Sequence, residues 1–144
     1  MLHPIIGKEY PNVVIPLINS AEATIEIIVY DWRWYSEDVS CVTQLFNHSI
    51  VQAVRRGVKV RAICNSQKVC KILKENGLDV KSLLTEHLVH AKMIIIDDKV
   101  VVLGSHNYTQ AAFTLNYEIS VLAYDPECAL SLKQYFNNLF QQNV

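Results

Sequence analysis

The chain has 144 residues, 51% of them apolar and 19% charged, which fits one domain (1–144) large enough to bury a core. Its formal net charge of −1 excludes the strong basic excess of many nucleic-acid binders, although a local basic groove is compatible with it. No apolar stretch reaches membrane-spanning length, and the first twenty residues hold no uninterrupted apolar run of the kind a secretory leader needs.

Val13, Val14, Leu17 and Ile18 share a helical face over 10–20, weakened by Pro16. Residues 23–30 are rich in β-branched side chains and predict a buried strand. Asp31-Trp32-Arg33-Trp34-Tyr35 follows. Ser36-Glu37-Asp38 predicts a helix start, with Val42, Leu45, Phe46, Ile50 and Val54 at helical spacing up to Gly57. A second strand is expected over 58–64, a short basic helix over 67–76 stopped by Gly77, and a short strand with a loop over 78–84. Residues 88–96 and 99–103 give the clearest strand patterns, with Asp97-Asp98 as a tight turn between them. A helical turn over 109–114 and a strand over 117–124 come next. A last helix opens at Pro126, with Leu130, Leu132, Tyr135, Phe136, Leu139 and Phe140 as its apolar stripe.

This order predicts an α/β fold: a mixed, mostly parallel β-sheet flanked by helices on both faces. The four cysteines, Cys41, Cys64, Cys70 and Cys128, show no CxxC spacing and are read as reduced thiols in a cytoplasmic protein.

The chemistry is concentrated between residues 90 and 118. His90 and Lys92 stand two apart, and on a strand they share a face. Ser105 and Asn107, also two apart, end the next apolar run. Paired as a hairpin, these segments bring together an acid-base or nucleophilic group, a cation and two neutral donors, which suits a phosphoryl group. The bland alternative is that His90 and Lys92 decorate the wet face of an ordinary strand. Glu118 is placed to fix the tautomer of His90. His106 faces away from Ser105 and Asn107 and is read as structural or rim.

A phosphodiester is attacked on one side of phosphorus and protonated on the other. One histidine does not easily do both, and no other histidine is followed two places later by lysine. Two copies related by a two-fold axis solve the problem, so an obligate homodimer with one composite site is expected. A catalytic metal is not: His87 and His90 on a strand would face opposite sides, and Asp97-Asp98 is better explained as a turn. No cofactor is called for. Trp32 and Arg33, with their aromatic neighbours, are candidate substrate-binding residues that could stack bases and contact phosphate. Packing of the tryptophans under the loop or in a dimer interface is the equal alternative. The clusters Arg55, Arg56, Lys59, Arg61 and Lys68, Lys71, Lys74 are read as solvated helix faces.

His90-x-Lys92, four residues, Asp97, six residues, Gly104-Ser105-x-Asn107 resembles the signature HxK(x)4D(x)6GSxN of the phospholipase D superfamily. That resemblance implies a covalent phosphohistidine at His90, phosphate held by Lys92 and Asn107 with Ser105 nearby, and a histidine-orienting role for Glu118 in Asn116-Tyr117-Glu118. It implies a mostly structural role for Asp97. It is densest over 88–118, and it is closest to the short single-copy members, which include a bacterial nonspecific endonuclease and a mitochondrial relative acting on RNA or cardiolipin. A metal-independent endonuclease on DNA or RNA is therefore the first expectation. A phospholipid hydrolase is the second, and a noncatalytic nucleic-acid-binding module of the same fold the third.

Overall fold

A computed structural model describes residues 1–82 and 87–142. In chain order these form β1 (Leu2–Ile6), a 3-10 turn (Gly7–Glu9), α1 (Tyr10–Asn19), β2 (Thr24–Ile28), α2 (Val42–Arg55), β3 (Lys59–Cys64) and α3 (Gln67–Glu75). There follow β4 (Asp79–Ser82), β5 (Met93–Ile96), β6 (Val100–Gly104), α4 (Gln110–Thr114), β7 (Ile119–Tyr124) and α5 (Pro126–Phe140). The part of the 78–84 prediction that covers 83–84 lies outside the described residues.

The strands form one sheet in the order β1-β7-β6-β5-β2-β3-β4. The α/β architecture and the mixed sheet are as expected, but the predominance of parallel pairing is corrected. Only β2–β3 and β3–β4 pair parallel, while β1–β7, β7–β6, β6–β5 and β5–β2 pair antiparallel. The reason is the connections. Helical crossovers join β2, β3 and β4, whereas β5 and β6 are joined by the Asp97-Asp98 turn, too short to reverse direction again. Residues 97–99 connect the paired Ile96 and Val100, and both aspartates have positive φ, 53° and 58°, at the centre of a turn closed by Lys99 N–H to the Ile96 carbonyl at 3.2 Å.

Side chains alternate across the sheet. Ile25, Ile27, Val60, Ala62, Ile94, Ile96, Val100 and Val102 enter one core with residues of α1 to α4. Ile28, Ile63, Met93, Ile95 and Val101 enter a second core with Ala129, Phe136 and Phe140 of α5. Helices thus cover both faces. On the α5 side, buried Glu26 is met by Arg61 at 3.5 Å and Lys133 at 3.7 Å.

Local chemistry explains the ends of the elements. Ser66, Thr109 and Asp125 cap α3, α4 and α5 by accepting from Val69, Ala112 and Cys128 backbone N–H groups. Pro126 occupies the first turn of α5, where its missing N–H costs nothing. Pro16 sits inside α1 on the exposed side, where water can serve the carbonyl it leaves unpaired. Helix α2 starts at Val42, later than Ser36-Glu37-Asp38 suggests, after turns over 36–41. Strand β1 is not evident in the sequence. It is an edge strand pairing only with β7, which is why Pro4 is tolerated in it.

A candidate phosphodiester site at one end of the sheet

Strand direction assembles the site. β2, β3 and β6 run the same way and end together, while β5 and β7 run oppositely and begin at that end. Five segments therefore meet there: 30–35, 65–66, 90–92, 104–107 and 116–118. The Asp97 hairpin lies at the other end of β5, roughly 17 Å from Lys92 at the rise of a strand.

His90 and Lys92 precede β5 rather than lying on it. Strand alternation is not what unites them. Lys92 Nζ is 3.1 Å from His90 Nδ1 and 3.3 Å from Nε2, so the ammonium lies against the ring. The His90 ring is exposed and its centroid stands 4.8 Å from that of Tyr30. Asn65 Nδ2 donates to the Val89 carbonyl at 2.7 Å and holds the backbone leading into His90. Burial lowers the Lys92 pKa, with the Glu118 charge acting in the opposite sense. Glu118 is therefore an electrostatic neighbour of Lys92.

Asn107 is oriented by one bond: its Oδ1 accepts from the Asp31 backbone N–H at 3.0 Å. The amide nitrogen is thereby turned away as a donor. The strip is reinforced by Tyr108 N–H to the Asp31 carbonyl and Arg33 N–H to the Tyr108 carbonyl, both 2.9 Å.

Glu118 makes its hydrogen bonds to Ser105 and Asn116. Its Oε1 accepts from Ser105 Oγ at 2.5 Å and its Oε2 from Asn116 Nδ2 at 3.0 Å. Ser105 Oγ also accepts from the Ile119 backbone N–H at 3.1 Å, so the hydroxyl ties the end of β6 to the start of β7. Gly104 is there for space: a Cβ would lie 2.3 Å from Ser120 Cα and 2.5 Å from the Ile119 carbonyl oxygen. His106 is buried, with Ser120 Oγ and the Gly7 carbonyl each 2.7 Å from a ring nitrogen, so its role is structural. Burial lowers its pKa against the opposing effects of the Gly7 carbonyl and Glu118.

Trp32 is corrected as a substrate-binding residue. It is 0% exposed, its Nε1 donates to Asn47 Oδ1 at 2.8 Å, and its ring meets Tyr108 edge-on. No base can reach it. Arg33 is exposed and its Nε donates to Asp31 at 2.8 Å. Asp97 is remote from phosphate chemistry. Its carboxylate accepts from the backbone N–H groups of Glu22, Ala23 and Thr24, at 2.7 to 3.2 Å, and pins the start of β2 to the hairpin.

Sequence reasoning missed Tyr30 and Asn65. The signal for either was position at the carboxyl end of a buried strand, Asn65 directly beyond β3 and Tyr30 two residues beyond β2. Among the described residues, no three His, Cys, Asp or Glu side chains converge as metal ligands. Among them too, no helix is long and apolar enough to cross a membrane.

Known proteins resemble this chain in sequence and in fold. The family model described as "Cardiolipin synthase, PLD-like domain" matches residues 14–140. A phospholipase D of Rickettsia conorii is 36% identical over 100 residues, covering 65% of this chain and 50% of that protein. The chain spans 10% of the length of a cardiolipin synthase 2 of Staphylococcus epidermidis and 55% of a phospholipase D of Rickettsia typhi, and so covers only part of these curated relatives. NucT from Helicobacter pylori has a similar structure, with a TM-score of 0.77 at 25% identity over 96% of this chain and 94% of that one. Nuc from Salmonella typhimurium, a phospholipase D family member, gives a TM-score of 0.79 at 22% identity over 96% and 93%.

Proposed function

The chain belongs to the phospholipase D superfamily, and from that premise we propose that it is a metal-independent phosphodiesterase, an endonuclease acting on DNA or RNA. The observation that carries this reading is the meeting of His90, Lys92 and the Asn107 amide at one end of the sheet. The structural likeness to NucT, over 96% of this chain and 94% of that one, supports the nuclease reading.

A ring nitrogen of His90 attacks phosphorus, and the bond from phosphorus to the leaving oxygen breaks. Lys92 and the Asn107 Nδ2 group hold the nonbridging oxygens, where negative charge grows. Ser105, held by Glu118, shapes the loop beside them. A proton must reach the leaving oxygen from the far side of phosphorus. The same histidine of a second copy supplies it, then takes a proton from the water that attacks the phosphohistidine. The second step frees His90 and releases the phosphate monoester end. The functional unit is thus a homodimer with one composite site.

The direct test is incubation with labelled single- and double-stranded DNA and RNA in excess EDTA, beside His90→Ala. Cleavage should persist in EDTA and vanish in the variant. Loss of wild-type cleavage in EDTA would sink the mechanism. Binding that survives in both proteins with no turnover in either would instead indicate a noncatalytic module.

A phospholipid reading has its own support in the names of the matched family and of the Rickettsia relative, and in the exposed Leu88, Leu115 and Tyr117 beside the site segments. It predicts hydrolysis of phospholipid vesicles by the same His90 and none of polynucleotides.

A further inference from the structure

Beside the His90 site lies a second cleft, of about 350 Å³, between the segment that follows β2 and the first turns of α3. Val69 and Ile72 give it apolar surface, Trp34 and Tyr35 half-buried rings, and Arg33 and Lys68 exposed cations. A smaller hollow shares Asp31, Arg33 and Ser66 with it and adds Tyr30 and Asn65, the two residues that touch or support His90. The cleft and the site are therefore parts of one groove.

The walls are held in place. The Tyr35 hydroxyl accepts from the Gln110 backbone N–H at 2.9 Å, and its own backbone N–H donates to Gln44 at 2.8 Å. Arg33 is fixed at its backbone by Tyr108 and at its Nε and Nη2 by the two carboxylate oxygens of Asp31, at 2.8 and 3.4 Å, which leaves Nη1 of the exposed guanidinium for a ligand. Rings beside cations suit a planar base with a phosphate attached. The chain's net charge is −1, so these two cations are a local feature and not part of a general basic surface.

We infer that this cleft binds the nucleotide next to the scissile phosphate, base against Trp34 and Tyr35 and phosphate between Arg33 and Lys68, and that the polymer is single-stranded. A duplex keeps its bases stacked inside and cannot offer one to the cleft, whereas a single strand can. This rests on the nuclease reading and adds strandedness and a specificity subsite to it.

The test uses Lys68→Glu and Arg33→Gln, both surface changes, with thermal melts to confirm folding. Three substrates are compared: a single-stranded oligonucleotide, its duplex, and bis(p-nitrophenyl) phosphate, which has no second phosphate to place between Arg33 and Lys68. Wild type should cut the single strand at least tenfold faster than the duplex. Each variant should lower the ratio of kcat/KM for the oligonucleotide to that for the small diester about tenfold, mainly through KM. An unchanged ratio, or equal cutting of the duplex, overturns the cleft assignment while leaving the nuclease reading intact. Turnover of the small diester or of phospholipid vesicles with no polynucleotide cleavage overturns the nuclease reading, and the cleft assignment with it.

Discussion

The Asn65 side chain hangs the backbone of Val89 from the end of β3, its Nδ2 2.7 Å from the Val89 carbonyl oxygen. The backbone leading into His90 is thus fixed by a strand three places away in the sheet from β6, whose end carries Ser105 and Asn107. Asn65→Ala removes the donor and leaves a carbonyl in a partly buried place without it. Misplacement of a reacting group by about 1 Å costs up to about a hundredfold in rate. Asn65→Ala should therefore lower kcat at least tenfold with little change in KM, and Asn65→Asp should do worse because a carboxylate would face the carbonyl. Steady-state kinetics beside thermal melts decide it, and a wild-type kcat in Asn65→Ala would remove Asn65 from any positioning role.

Asp97 is expected to matter for stability and not for chemistry. Burial alone would raise its pKa, but the backbone N–H groups of Glu22, Ala23 and Thr24, with the Lys99 charge, outweigh that and hold it below the ordinary value. A lowered carboxyl pKa stabilises the fold above the unfolded-state value, and that contribution is lost as pH falls through the folded-state value. Denaturant unfolding across the acid range should show stability dropping in wild type and a flatter profile in Asp97→Ala. At neutral pH the variant should be less stable by about 2 kcal/mol, the scale of lost hydrogen bonds to a charged acceptor. Activity per folded molecule should stay near wild type. A large fall in kcat from a fully folded Asp97→Ala would contradict the structural role.

The sequence makes the Asp97 turn and the clustering around residue 90 legible because both depend on short spacings. A tight turn between apolar runs calls for positive φ at its centre, and Asp97 and Asp98 have it. The period-two argument for His90 and Lys92 reaches the right neighbours through the wrong cause, since both lie ahead of β5 and meet by direct side-chain contact. Spacing does not say which way a loop aromatic turns. Trp32 and Trp34 occur in one short segment, yet the first is wholly enclosed against Asn47 and Tyr108 while the second borders the cleft. Glu118 lies in the expected region, but the exchange of bonds between β6 and β7 commits it to Ser105. Asn65 acts across a gap of twenty-four residues, which no local pattern encodes.

Gly104 separates close packing from conformational freedom. Its neighbours are backbone atoms, Ser120 Cα and the Ile119 carbonyl oxygen, as well as Ser120 Oγ at 2.1 Å from a built Cβ. Gly104→Ala should force β6 and β7 apart and destabilise the protein by roughly 3 kcal/mol, the upper range for overpacking. The pair Ser105–Glu118 spans the same two strands, so activity should fall with it. Trimming the side chain in Gly104→Ala/Ser120→Ala should recover little, because the backbone obstruction remains. Full recovery in that double variant would show that the hydroxyl alone made the crowding.

Lys92 predicts an alkaline limit to activity that is not unfolding. Burial lowers its pKa, and the Glu118 charge only partly opposes this. The ammonium needed against the phosphate is therefore lost at a lower pH than for an ordinary lysine, and kcat/KM should fall accordingly on the alkaline side. Stability moves the other way. Between the lowered folded-state value and the ordinary unfolded-state value the unfolded chain binds more protons, so this group makes the fold more stable as pH rises. Glu118→Gln removes a charge that favours the cation, so the alkaline limb should move to lower pH. Lys92→Arg keeps a charge throughout the range and should flatten the limb at a reduced rate, because a guanidinium fork does not replace a compact ammonium. Lys92→Met should cost about 10²–10³ in kcat. Rate profiles and melts recorded over the same pH range test the whole set. A limb that shifts upward in Glu118→Gln, or that persists unchanged in Lys92→Arg, would assign it to another group.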